Sequence, residues 1–253
     1  MKKLFALIIF FTTFNTFLYS QNSGCTDSLA YNYDSLAIID DGSCFYLGCF
    51  LSQIGQDIDG VFYDDYSGHS VSVSNDGSTV AIGGPAHSPT WLWHGDSIGT
   101  VRVFQNVSGA WTQIGQDIDG GSPYDRFGYS VSLSGDGSIV AIGAIFDDSI
   151  EAGYVRIYEN TGGSWTQISQ KIYGENYNDR SGSSVSLSGD GSTVAIGAPY
   201  NDGNGGASGH VHIYQNISGA WTQIGQDIYG ENPYDRSGFS VSLSSDGSIV
   251  AIG

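Results

Sequence analysis

Basic residues are scarce in this 253-residue chain, which has eight Lys and Arg residues against 26 Asp and Glu residues. The resulting formal net charge of -18 repels phosphate backbones and anionic lipid headgroups. We therefore expect no nucleic-acid partner and no electrostatic docking to a membrane. Cations and neutral glycans suit this charge better.

Long apolar runs are absent after the first twenty residues, so the sequence predicts no transmembrane segment after signal removal. The beginning of the chain has Lys2 and Lys3, an apolar run over residues 4–11, and then Ser20. This layout is typical of a secretory signal peptide, and we expect cleavage after Ser20. The predicted localisation is secreted, extracellular or at the cell surface.

Cysteine is equally rare, and its three copies, Cys25, Cys44 and Cys49, follow soon after the predicted signal. In an oxidising compartment, three cysteines predict one disulfide and one remaining thiol. We prefer the pair Cys25 and Cys44, which would contribute about 3 kcal/mol in the chain-entropy description. Cys49 could instead compete for either partner.

Proline and methionine are also few, with five and one copies, whereas glycine occurs 37 times. Glycine adopts positive φ without steric cost, so this composition indicates many tight turns between short strands. Helix is disfavoured, and the sequence predicts an all-β protein.

An internal repeat is the strongest pattern in the chain. A block reading W-T-Q-I-(G/S)-Q-(D/K)-I begins at Trp111, Trp165 and Trp221, at spacings of 54 and 56 residues. Asp-Gly turns recur with nearly the same spacing, so two unrelated markers indicate a unit of about 55 residues. The turn glycines are Gly77, Gly137, Gly191 and Gly247.

Each repeat is predicted to form four antiparallel strands, because alternating apolar residues are separated by turn signals. Four-stranded units stacked side by side predict the blades of a β-propeller. Propellers close with about four to eight blades, so we expect an incomplete propeller from a truncated chain. The predicted strands of one repeat are residues 129–134, 138–144, 154–159 and 165–172. We predict full blades beginning near Gly68, Gly128 and Gly182, a lone fourth strand at 51–58, and two strands within 238–253.

Two short motifs carry a family resemblance. Phe127-Gly128 looks like an FG element, and Gly197-Ala198-Pro199 looks like a GAP element, with degraded versions at 83–85 and 143–145. On these motifs, residues 50–253 resemble the FG-GAP repeats of the integrin α-subunit propeller and its secreted bacterial relatives. The family's calcium loop would lie between the first two strands of a repeat, but each such loop here offers only one carboxylate. One carboxylate cannot supply the six to eight oxygens that calcium takes, so we interpret these aspartates as hairpin residues.

The segment from Gly24 to Cys44 resembles a short Asp-rich cysteine motif of bacterial secreted proteins. Its side chains could gather oxygens around one calcium ion, which is the cofactor we consider for this chain. The alternative is a disulfide-tied spacer whose acidic groups are solvated. The candidate calcium ligands are Asp27, Asn32, Asp34, Asp40 and Asp41.

Two further patterns could be functional. His210 and His212 lie two residues apart on a predicted strand and share a face, which is a spacing that zinc ligands use, but no Cys or third His is near. We interpret them as a surface substitution. Asp-Arg pairs precede three first strands and are predicted to tie the loops between blades through charge-assisted hydrogen bonds. These pairs are Asp125-Arg126, Asp179-Arg180 and Asp235-Arg236.

The loop over residues 85–99 is longer than its counterparts in the other repeats and contains Trp91, Trp93 and His94. Insertions in repeat proteins often map to binding loops, so these side chains are candidate ligand-binding residues for a sugar or protein partner. The tryptophans could equally fold back over the blade edge.

The sequence thus predicts a signal peptide over residues 1–20, an Asp-rich cysteine motif over 21–49 and propeller repeats over 50–253. The first functional hypothesis is a secreted or cell-surface adhesion module that presents loops to a glycan or protein without catalysis. The second is an accessory propeller of a larger hydrolase or lyase, although the sequence contains no H-E-x-x-H motif. A third is a spacer within a larger surface protein.

Overall fold

A computed structural model describes residues 22–44, 53–88, 97–146 and 151–253. It divides into two compact units, with the boundary between Gln53 and Ile54. The described residues contain no helix, and therefore no helix among them is long and apolar enough to cross a membrane. Outside the described residues lie the predicted signal peptide (1–20), Cys49, and the loop residues Trp91, Trp93 and His94.

The first unit has one parallel pair of two-residue strands, β1 (Ser23–Gly24) and β2 (Ile39–Asp40). A disulfide joins Cys25 to Cys44, with the two Cα atoms 4.6 Å apart. The predicted pairing of these two cysteines is therefore confirmed. The disulfide closes the segment that holds the acidic side chains.

The second unit contains three similar antiparallel sheets followed by a hairpin, which confirms the prediction of an all-β chain with an incomplete propeller. In each sheet the first four strands pair in chain order, and a short fifth strand pairs beside the start of the third.

The first blade has β3 (Ser70–Val73), β4 (Thr79–Gly84), β5 (Thr100–Val107), β6 (Ala110–Gln113) and β7 (Ile118–Asp119). The second has β8 (Ser130–Leu133), β9 (Ile139–Ala144), β10 (Tyr154–Thr161), β11 (Ser164–Gln167) and β12 (Ile172–Tyr173). The third has β13 (Ser184–Leu187), β14 (Thr193–Ala198), β15 (His210–Ile217), β16 (Ala220–Gln223) and β17 (Ile228–Tyr229), and the hairpin has β18 (Val241–Leu243) and β19 (Val250–Ile252).

The prediction of one continuous fourth strand in each blade is wrong, because the structure divides this segment into two short strands. In the first blade, Gly115 lies between β6 and β7 with φ +76°, which extended backbone does not adopt. The indole of Trp165 in the next blade packs on this glycine, where an added Cβ would come within 2.8 Å of the ring. The lone strand predicted at 51–58 is also wrong over residues 53–58, where Gly55 has the same φ and faces Trp111.

The first strands of successive blades lie side by side, and serine side chains join them. The serine side chains are small enough to let the blades approach closely, and they also form hydrogen bonds across the gap. Ser70, Ser130 and Ser184 donate to the carbonyls of Gly128, Gly182 and Gly238 at 2.7, 2.7 and 2.8 Å. The backbone N–H groups of Leu133, Leu187 and Leu243 each donate at 2.9 Å to Ser72, Ser132 and Ser186.

The hydrophobic core lies between blades. The second strand of a blade is buried on both faces, as expected for a sheet between two neighbours, and every residue of β14 is buried. One cluster joins the first blade to the second through Val103, Val140 and Trp165. A second cluster joins the second blade to the third through Ile157, Ile196 and Trp221. Stability therefore depends on adjacent blades packing together.

The Asp-Gly turns close the first hairpin of each blade, as predicted. Asp76 accepts hydrogen bonds from the Ser74 hydroxyl at 2.7 Å and from the Ser78 N–H at 2.9 Å, and Gly77 has φ +72°. These bonds to serine lower the pKa of Asp76 to about 2. The same arrangement lowers the pKa of Asp136, Asp190 and Asp246.

Acid is expected to destabilise these hairpins in a defined range. Because the pKa of Asp76 is about 2 in the folded chain and near 4 in the unfolded chain, its stabilising contribution is full above pH 4 and is lost as the pH falls toward 2. Urea unfolding of the wild type and Asp76→Asn between pH 2 and 5 tests this. The variant should show a shallower dependence on pH, and equal slopes would contradict the expectation.

Candidate functional site

The links that lead from one blade to the next are held by buried aspartates, as the Asp-Arg pattern predicted. Asp125 is fully buried and accepts hydrogen bonds from the N–H groups of Gly121 and Ser122, both at 3.1 Å, and from the Tyr154 hydroxyl at 2.7 Å. Burial raises the pKa of Asp125, while the bond from Tyr154 acts in the opposite direction. Asp65 and Asp179 also accept backbone N–H groups of their own links. The aspartates therefore have a structural role.

The arginines that follow these aspartates have a different environment. Arg126 and Arg180 lie 5.5 and 5.6 Å from the ring centroid of Phe146. Arg180 and Arg236 lie 4.3 and 5.1 Å from the ring centroid of Tyr200. Both rings come from loops between the second and third strands of a blade. We call this alternating row of Arg126, Phe146, Arg180, Tyr200 and Arg236 the arginine ladder.

Among the described residues, no acidic side chain forms an ion pair with a guanidinium group of the ladder. The ion pairs in this part of the chain are those of His212. The Nε atom of Arg180 is buried and lacks a hydrogen-bond partner among the described residues, whereas Arg126 and Arg236 are exposed. Stacking on an aromatic face restricts each guanidinium plane without using its N–H donors. The ladder can therefore offer oriented donors to an acidic group.

A cavity of about 200 Å³ lies at the beginning of the ladder. Ala86 and Ser97 line it together with Arg126, and the Ser97 carbonyl accepts a hydrogen bond from the Arg126 N–H at 3.1 Å. In the sequence, Ala86 and Ser97 bracket the segment that contains Trp91, Trp93 and His94. Those three residues lie outside the described part, so their assignment as ligand-binding residues stays a prediction. The remaining cavity residues are Tyr66, His69, Pro85 and Tyr129.

Pairs of glycines mark the closest approach of neighbouring blades. A Cβ at Gly143 in the second blade would collide with the carbonyl of Gly182 in the third and with the Ser130 hydroxyl. Gly83 and Gly128, and likewise Gly197 and Gly238, meet in the same way. The first glycine of each pair occupies the GAP position, and the second occupies the FG position.

A sequence profile of the FG-GAP repeat matches residues 118–158 and 174–214. This chain carries FG-GAP repeats. Each match extends from the end of one blade into the third strand of the next, so it includes both glycine positions of the inter-blade contact. FG-GAP propellers are often extracellular binding modules, and the disulfide agrees with an extracellular protein. No curated protein matches the chain.

The interpretation of His210 and His212 as a surface substitution is wrong, because both side chains are buried, at 0% and 3% exposure. Their ring centroids lie 4.0 Å apart. His212 Nε2 lies 3.0 Å from Asp227 Oδ1 and 3.8 Å from Glu175 Oε1. One ligand atom from each of these four residues lies within 4.8 Å of the others, so this FG-GAP blade contains a possible metal centre.

The charge state of this histidine cluster suits metal coordination. Burial and the neighbouring His212 lower the pKa of His210 to about 4, so its imidazole is neutral at neutral pH. Burial raises the pKa of Asp227, but hydrogen bonds from Tyr229 and Gln223, together with the nearby histidines, bring it below its ordinary value. A neutral imidazole, as at His210, and an ionised carboxylate, as at Asp227, are the forms that bind metals.

The acidic side chains of the first unit close local turns. The Oδ1 atoms of Asp27, Asp34 and Asp40 accept the N–H two residues ahead, at 2.9, 2.9 and 3.0 Å. Asp41 accepts the Ser43 N–H at 2.9 Å, and the Asn32 amide donates to the Ser43 carbonyl at 2.8 Å. The calcium site assigned to Asp27, Asn32, Asp34, Asp40 and Asp41 stays a prediction.

Sequence reasoning missed both the ladder aromatics and the two carboxylates beside the histidines. Phe146 and Tyr200 each lie two residues after the end of a second strand, which is a repeated position that could have been noticed. Glu175 and Asp227 are distant from His210 and His212 in sequence. The available signal was the difference between repeats, because Asp227 occupies the position of Lys171 in the preceding blade.

Proposed function

We propose that this FG-GAP protein is a secreted or cell-surface adhesion module that binds an acidic glycan at the arginine ladder, without catalysing a reaction. The observation that carries the proposal is the row of Arg126, Arg180 and Arg236, which has no acidic partner among the described residues although the chain has a net charge of -18. Guanidinium groups recognise carboxylates through paired hydrogen bonds.

The periodicity of the ladder favours a linear polymer as the ligand. Arg126 and Arg180 lie 5.5 and 5.6 Å from one ring centroid, so their guanidinium carbons are no more than about 11 Å apart. Arg180 and Arg236 are joined in the same way through Tyr200. A polysaccharide with regularly repeated carboxylates matches a row of regularly repeated cations. Acidic groups farther than about 8 Å from the ladder are largely screened by salt, so they repel the ligand only weakly.

The binding test uses immobilised alginate and polygalacturonate as acidic glycans, with dextran as the neutral one. The full chain should bind the acidic polymers, and binding should weaken as salt rises. Arg180→Gln should lower the affinity about tenfold or more, since this arginine contacts both rings. Arg180→Lys, which keeps the charge but loses the planar donor set, should lie between wild type and Arg180→Gln.

The matched control is Lys171→Gln, which removes one positive charge outside the ladder and should leave the affinity nearly unchanged. Equal losses of affinity in Arg180→Gln and Lys171→Gln would indicate that binding depends only on the net charge of the protein, which would contradict a ladder site. Equal binding to dextran and alginate would also contradict the acidic ligand.

The tryptophan loop is proposed to extend the same binding face, because Ala86 and Ser97 on either side of it line the cavity beside Arg126. Trp91→Ala combined with Trp93→Ala should weaken binding on a glycan array while the melting temperature stays the same. Unchanged glycan binding would remove this loop from the site and leave the ladder as the binding surface.

A further inference from the structure

The buried histidines of the third blade have unsatisfied ring nitrogens. Neither Nδ1 nor Nε2 of His210 has a hydrogen-bond partner among the described residues, and Nε2 of His212, although 3.0 Å from Asp227 Oδ1, makes no well-aligned hydrogen bond there. Both side chains are more than nine-tenths buried. Burying a polar atom without a partner costs free energy, so such groups in a native protein need an explanation. A ligand that accepts electron pairs from both imidazoles would provide one.

Comparison with the preceding blade shows which residues changed together. The equivalent positions there are Tyr154, Arg156 and Lys171, and the Lys171 ammonium lies 4.1 Å from the Tyr154 ring centroid. The Arg156 guanidinium lies 5.1 Å from the same ring. Cation–π contacts therefore fill this region of the second blade. In the third blade His210, His212 and Asp227 replace these residues, and Glu175 replaces Gly121.

We propose that Glu175, His210, His212 and Asp227 bind one Zn²⁺ ion as a structural site. Two imidazole nitrogens and two carboxylate oxygens supply the four ligands that a closed tetrahedral zinc site uses. Calcium takes six to eight oxygens, and this set of donors does not suit it. In a tetrahedral site with ligands about 2.0–2.2 Å from the ion, the ligand atoms are about 3.3–3.6 Å apart, so atoms now within 4.8 Å of one another would have to move closer by about 1 Å.

The surroundings of the cluster orient one carboxylate toward the proposed ion. The Gln223 amide donates to Asp227 Oδ1 at 2.7 Å, and the Tyr229 hydroxyl donates to Oδ2 at 2.8 Å. Outer hydrogen bonds of this kind fix the direction of a ligand. Glu175 comes from the link between β12 and β13, whereas the histidines belong to β15. The ion would therefore hold the link against the third blade. In the second blade, aromatic and cationic side chains occupy the corresponding place.

The binding test is calorimetric titration of the full chain with zinc chloride in excess calcium, so that oxygen-only sites are already occupied. One Zn²⁺ per chain is expected, and native mass spectrometry provides the stoichiometry independently. His212→Gln and Asp227→Asn should each weaken zinc binding at least tenfold. His69→Gln, which changes an exposed histidine outside the cluster, should bind zinc like the wild type.

Absence of stoichiometric zinc binding to the folded wild type would overturn the proposal, as would undiminished binding in both cluster variants. Circular dichroism checks that each variant is folded. Should His212→Gln fail to fold, Asp227→Asn carries the comparison, because its amide conserves the size of the side chain.

A thermal measurement distinguishes a structural ion from surface binding. Zinc should raise the melting temperature of the wild type and of His69→Gln, since a ligand that binds only the folded state stabilises it. The melting temperature of His212→Gln should not respond to zinc. Binding without any shift in the wild type would contradict a structural role.

Discussion

Substitution of Asp125 by alanine is expected to lower the free energy of unfolding by about 3 kcal/mol, because it removes the acceptor shared by three hydrogen-bond donors, including the buried Tyr154 hydroxyl. The Asp125 carboxylate is fully buried, and the Gly121 N–H, the Ser122 N–H and the Tyr154 hydroxyl all donate to it. Alanine would leave the buried Tyr154 hydroxyl without its acceptor and would release the two partly buried N–H groups of the link. Urea unfolding followed by tryptophan fluorescence measures the change.

Asp235 is the matched control, since it occupies the same place in the link that precedes the final hairpin but is exposed. It accepts the Asn232 N–H at 2.7 Å, and water can replace the lost carboxylate there. Asp235→Ala should therefore cost about 1 kcal/mol or less. Similar losses in both variants would contradict the claim that burial of the carboxylate determines the effect.

A single methyl group at Gly143 is expected to destabilise the contact between the second and third blades by about 3 kcal/mol. The added Cβ would lie 2.9 Å from the carbonyl carbon of Gly182 and closer still to its oxygen. Because the obstacle is backbone held in the next blade, no side chain can rotate away. Gly143→Ala should therefore lower the melting temperature strongly.

Gly206→Ala provides the corresponding control, because the only atom within 4 Å of its added Cβ is the Tyr234 hydroxyl oxygen, at 3.9 Å. Its backbone does not adopt positive φ, so alanine fits without strain. We expect a change within about 0.5 kcal/mol. A Gly143→Ala variant as stable as Gly206→Ala would show that the blades can separate freely, which contradicts the tight inter-blade contact.

Much of the fold could be predicted because its determinants are local and repeated. The Asp-Gly turns at Gly77 and Gly137 specify hairpins through positive φ, and alternation of small and apolar residues specifies strands. The division of the fourth strand could not be predicted in this way. Its cause at Gly115 is the indole of Trp165, which belongs to the next blade.

For the candidate sites too, the sequence did not indicate which side chains from other repeats come into contact. The Asp-Arg pairs indicated correctly that the aspartates hold the links, because a repeated position suggests a repeated structural role. The arginines nevertheless stack on Phe146 and Tyr200, which belong to loops of the blades that the links join. His210 and His212 were interpreted as exposed because a strand pattern does not state what packs on its face. Both are buried, and Glu175 and Asp227, which are distant in sequence, lie beside them.

The sequence by itself determined the all-β blades, their hairpin turns and the resemblance to FG-GAP repeats, and it favoured the Cys25–Cys44 pairing. These features depend on short-range backbone geometry, repeat spacing and a small number of cysteines. Only the tertiary structure decided which side chains meet between repeats, including the arginine ladder and the histidine cluster. The reason is physical: repeats about 55 residues apart come into contact only when the blades pack, and that packing sets burial, charge environment and ligand geometry.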